Sequence, residues 1–130
     1  MKVSKIKIVR CALSTILIVF AALQINDPDP WIWILLYGLV AAFGMLGASN
    51  QNPLRMSVSI LYLLVAYWRF PTEYHGLGSM SESQPEIEQA REALGILIAA
   101  AINASSVWLF AMEDDLRRRH RKKTKCDDAQ

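Results

Sequence analysis

Two stretches of this chain, residues 31–49 and 94–112, carry no charged side chain over nineteen positions each. A helix crosses the hydrocarbon core of a bilayer with about 20 predominantly apolar residues. Two further stretches come close. Residues 8–25 are apolar beyond Arg10, and residues 54–70 are apolar except for Arg55 and Arg69 near their ends. The charges collect in blocks between these segments. Apolar residues make up 53% of the 130 positions, only a little above a soluble average. It is their segregation from the charges that points to a membrane. The length suits one domain.

The third segment is the weakest, with 13 residues between its two arginines. Arginine stems can lie along the apolar zone and reach the interface with their heads, which extends the usable length. If the segment did not cross, the chain would have three spans and its termini on opposite sides. Charge separates the two models, because Lys and Arg favour cytoplasmic loops. With four spans, 12 of the 14 basic residues lie inside, and only Arg69 and Arg91 lie outside. With three, seven basic residues of the tail change sides. The expected fold is therefore an all-α, four-helix transmembrane bundle of up-down topology, multi-pass in a plasma or inner membrane, with both termini cytoplasmic. Its spans fall at about 8–25, 31–49, 54–70 and 94–112, with a basic tail over 113–130. Trp31, Trp33, Tyr67 and Trp68 are expected at the outer interface and Trp108 at the inner one. A basic start before an apolar run also fits a cleaved signal peptide. The run lacks a convincing small-x-small cleavage site, and its removal would take away half of the first hairpin. Residues 71–84 and the tail beyond Met112 read as low-order segments.

Sorted this way, the outer face holds Asp27, Asp29, Glu73, Glu82, Glu86, Glu88 and Glu92 against two arginines, a balance of −5. Such a face favours cations. Residues 26–30 form a turn short enough to enforce an antiparallel hairpin. Asp29 suits the N-cap position and Pro30 the first helical one. One helix start needs one cap, yet the turn supplies Asn26, Asp27 and Asp29, oxygen donors of the kind a hard divalent cation uses. Further on, Ser83 and Glu86 have capping-box spacing, so a helix beginning there runs straight into the fourth span. Glu88 and Glu92 share a face, and Asn103, eleven residues on, falls within about 20° of it on a 3.6-residue helix. The structural alternative is a packing stripe in which Asn103 bonds to another helix. Small residues at Gly95 and Ala99, and at Ala41, Gly44 and Ala48, allow close helix approach.

The run Gln24, Ile25, Asn26, Asp27, Pro28, Asp29, with Trp33 and Tyr37 behind it, resembles the transmembrane protein 220 family. So does the later pattern Glu88, Arg91, Glu92, Gly95, Ile96. The resemblance covers most of residues 11–112 and implies a four-helix membrane protein without implying an activity. Pro30 and the long basic tail do not map onto it.

No span carries Asp, Glu or His at its centre, which argues against a proton-coupled transporter. Cys11 and Cys126 form no CxxC and have no metal-ligand spacing. The tail, basic from 117 to 125, is expected to meet anionic lipid rather than nucleic acid. The leading expectation is a non-enzymatic protein with an acidic extracytoplasmic mouth for a cation or polar ligand. Its candidate residues are Asn26, Asp27, Asp29, Glu88 and Glu92, with Gln24 and Asn103 as lesser candidates. A divalent cation is the cofactor this implies. Arg91 or Arg69 instead makes the cluster a structural clasp. A membrane-embedded metal-dependent enzyme and a purely structural subunit, paired with another membrane protein or a second copy, stay open.

Overall fold

The computed structural model describes residues 3–26, 29–46, 49–73 and 85–127. Four α-helices lie among them: α1 Val3–Leu23, α2 Pro30–Leu46, α3 Asn52–Arg69 and α4 Pro85–Asp127. Short 3₁₀ turns, Gln24–Asn26 and Ser49–Gln51, follow α1 and precede α3. Phe20 meets Tyr37 ring to ring at 5.8 Å, while Arg10 reaches Gly44, so α1 and α2 are antiparallel. Arg55 near the start of α3 meets Asn103 of α4, and Arg69 at its end meets Glu92. The same reversal holds between α2 and α3, where the Tyr62 hydroxyl donates to the Leu36 carbonyl at 2.8 Å.

All four helices feed one core. Leu17 of α1, Trp33, Tyr37, Val40 and Ala41 of α2, Tyr62 and Ala66 of α3, and Ile96, Ala99 and Ala100 of α4 are buried together. The close approaches rest on small residues. A Cβ at Gly95 would stand 2.1 Å from the Tyr37 hydroxyl, and one at Gly44 would stand 2.2 Å from Ser14 Oγ. Ala48 lies outside the described residues. Trp33 is buried and stacked on Tyr37. Trp31, Tyr67 and Trp68 are exposed near helix ends, and Trp108 is exposed midway along α4.

α1 and α4 are each long and apolar enough to cross a membrane, and α2 is an apolar helix of 17 residues. α3 is more polar on average than α1 and α2, because it carries Asn52, Arg55, Ser57, Ser59 and Arg69. Two of these, Arg55 and Ser59, point inward. Arg55, Ser59, Tyr62 and Ala66 are its buried residues, while Leu54, Met56, Ile60, Leu61, Leu63, Leu64, Tyr67 and Trp68 are exposed.

The basic tail differs from expectation. α4 runs unbroken for 43 residues to Asp127, about 64 Å at 1.5 Å per residue. No Gly or Pro follows Gly95 to interrupt it. Pairs four residues apart support its far end: Arg117 with Glu113 at 2.7 Å and Arg119 with Asp115 at 2.9 Å. Low hydropathy marked the tail as outside the apolar zone, but it did not make it irregular.

Candidate functional site

Polar groups gather at both ends of the helix array, and the two gatherings differ in kind. α2 is described as far as Leu46, and the last carbonyls of a helix lack partners within it. Arginines from the two flanking helices take three of them. Arg10 donates from Nε and Nη2 to the Gly44 oxygen at 3.1 and 3.0 Å, and from Nη2 to the Met45 oxygen at 3.4 Å. Arg55 donates from Nη2 to the Phe43 oxygen at 3.2 Å. The C-terminal end of a helix is also the negative end of its dipole, which suits a guanidinium.

Both arginines are buried, Arg55 completely. Their ring contacts converge. The Arg10 and Arg55 guanidinium carbons lie 3.5 and 4.0 Å from the Phe110 ring centroid, close enough for cation–π attraction. Arg10 also forms an ion pair at 2.6 Å with the buried Glu113, whose second oxygen is held by Arg117. Arg55 is oriented by the Asn52 carboxamide oxygen at 2.9 Å. Deeper along α4, Asn103 donates from Nδ2 to the Arg55 carbonyl at 2.8 Å and to Ser59 Oγ at 3.1 Å. Ser106 donates to the Asn103 carbonyl at 2.6 Å. Between α1, α2 and α4 lies a cavity of about 10 Å³, bordered by Arg10, Ser14, Gly44, Asn103 and Ser106.

The other end is acidic and more open. Glu92 pairs with Arg69, across from α4 to α3. Glu73, Glu86 and Glu88 are exposed, and so is Asp29, which sits at the N-cap position of α2. Gln24 is half-buried in the first 3₁₀ turn. Asn26 closes that turn, and Asp27 lies outside the described residues. Arg91 is half-buried on α4. Among the described residues, no three His, Cys, Asp or Glu side chains converge as a metal site would require.

The expected stripe of Glu88, Glu92 and Asn103 therefore divides. Glu88 faces solvent, Glu92 is taken by Arg69, and Asn103 belongs to the α3 contact in the opposite half of the array. An 11-residue separation is about 16 Å along a helix, so a shared face did not mean a shared site. The sequence reading missed Arg10, Arg55, Phe110 and Glu113 as a unit. Its available signal was Arg55, a charge inside an otherwise apolar segment, which demands buried acceptors.

The family model described as Transmembrane family 220, helix, matches residues 16–108. The chain belongs to this family. The matched region takes in the first turn, α2, α3, Glu92 and Asn103, while Arg10, Phe110 and Glu113 fall outside it. No solved structure matches the chain.

Proposed function

We propose that the protein is a non-enzymatic, four-span membrane protein with both termini in the cytoplasm. Its acidic extracytoplasmic end serves as a mouth for a cation or a cationic polar ligand. The reading is carried by the inverted character of α3, which buries Arg55 and Ser59 and exposes eight large apolar or aromatic side chains. A soluble protein puts such a helix the other way round, and lipid is the solvent that accepts it. If α3 crosses, the arginine end lies with the basic tail and the acidic end on the opposite side, in keeping with the preference of Lys and Arg for the cytoplasm. Asp29, Glu73, Glu86 and Glu88 then face the outer solution. The basic stretch of α4, residues 117–123, adjoins the inner leaflet, where anionic lipid is its natural partner.

The Arg69–Glu92 pair favours a second reading. In it the carboxylates only shape helix ends, and the protein is a structural subunit for another membrane protein or for a copy of itself. A thermal-shift titration of the purified protein with calcium and magnesium separates the two. A bound ion stabilises by about 2.7 kcal/mol at a hundred times its dissociation constant, and Asp27→Asn or Asp29→Asn should remove that shift. If no divalent ion stabilises the wild type, the mouth reading fails and the structural one stands.

A further inference from the structure

Asn103 is 1% exposed, and its Oδ1 has no hydrogen-bond partner among the described residues. The orientation of this amide is fixed by its neighbours. The backbone oxygen of Arg55 can only accept, so the atom 2.8 Å from it must be Nδ2. Oδ1 is then the end left over. Buried acceptors find partners in protein or in ordered water, and Asn103 borders the cavity of about 10 Å³ between α1, α2 and α4. That volume suits the centre of one water molecule. The same cavity is bordered by Ser14 and Ser106, which offer hydroxyls, and by Arg10.

We propose that this cavity is a hydration site for a single water molecule, which donates to Asn103 Oδ1 and ties it to the Ser14 hydroxyl of α1. The chemistry of the wall selects the occupant. The Arg10 guanidinium repels a cation of ammonium size. The free amide oxygen is an acceptor and repels an anion. The volume excludes any larger neutral molecule. Water remains, with two donors for Asn103 and Ser14 and two acceptor positions for Arg10 or a serine hydroxyl. Gly44 keeps the site open, because a Cβ there would lie 2.2 Å from Ser14 Oγ and push that hydroxyl aside. The site gives α1 a polar connection to α4 at the depth where Asn103 already holds α3. It therefore extends the polar axis of the protein across three helices.

Water-edited solid-state NMR on the uniformly labelled, full-length protein in lipid bilayers tests this. Magnetisation from water should reach the Asn103 side-chain carbon several-fold faster than the side chains of Ala99 and Ile96, which are equally buried. Ser14→Val removes the hydroxyl and adds a methyl that fills the cavity, and it should abolish the difference. Ser106→Ala should weaken it and serves if the first variant fails to fold. Build-up at Asn103 no faster than at Ala99 in the wild type overturns the proposal. So does a fast build-up that survives Ser14→Val unchanged in the folded protein, since it would arise from exchange at the NH2 group of Asn103 itself.

Discussion

At the arginine end, Arg10, Arg55 and Glu113 are all buried, and their hydrogen bonds run to helix carbonyls, side-chain amides and each other. At the acidic end, Asp29, Glu73, Glu86 and Glu88 are exposed, and the Arg69–Glu92 pair is partly open to solvent. The contrast has one physical origin. If α2 crosses the membrane as proposed, its last carbonyls lie where water does not reach, and each unsatisfied group there costs several kcal/mol. Donors must come from the protein, and only a long, forked side chain can serve two carbonyls and a carboxylate at once. The acidic end meets no such demand, because Asp29, Glu73, Glu86 and Glu88 are exposed there. Charge at one end holds helices together, and at the other it lies mostly at the surface.

The strongest way to break this comparison is to remove one member of the buried pair. Glu113→Ala leaves Arg10 as an uncompensated charge, and loss of one partner of a buried ion pair costs about 3–5 kcal/mol. Unfolding followed in detergent should show the loss, and Arg10→Leu should approach it while also freeing the Gly44 and Met45 carbonyls. A near-neutral result would mean that the pair is solvated and the two ends are alike.

Packing gives the next largest effect. In Gly95→Ala the new methyl meets a Tyr37 hydroxyl 2.1 Å away, and Tyr37 is pinned between Trp33 and Phe20. Overpacking of this kind costs about 1–3 kcal/mol. The matched control is Gly38→Ala, where nothing lies within 4 Å of the new atom. It should be neutral or gain up to about 1 kcal/mol. Equal thermal midpoints for the two variants would show that Gly95 faces lipid.

At the acidic end, Arg69→Gln removes an ion pair whose arginine side chain is 36% exposed. Such pairs are worth about 0–1 kcal/mol, so the thermal midpoint should move far less than in Glu113→Ala. A loss as large as that of the buried pair would make Arg69 and Glu92 a second lock.

The legible part of the fold was what periodic charge and hydropathy express. Helix count, the helix start at Pro30, the continuous helix from Pro85 into the fourth span and the small-residue contacts at Gly95 and Gly44 all follow local rules. What escaped the sequence was pairing across distance. Arg10 and Glu113 are 103 positions apart, and nothing local marks them as partners. Asn103 shared an angular position with Glu92 but not a depth, and angle alone cannot separate these. The tail was misjudged because charge density and helicity are independent properties. Residues 117–123 alternate no signs, yet they continue a helix already nucleated by α4.

The central claim is that α3 crosses the bilayer with its polar face inward. Impermeant maleimide labelling of single-cysteine variants in intact cells or right-side-out vesicles tests it directly, in a background with Cys11 and Cys126 replaced by serine. Asn50→Cys precedes α3 and Glu73→Cys follows it. The account expects Glu73→Cys to react at once from outside, and Asn50→Cys to react only after the membrane is opened. Labelling of both positions from the same side would contradict it.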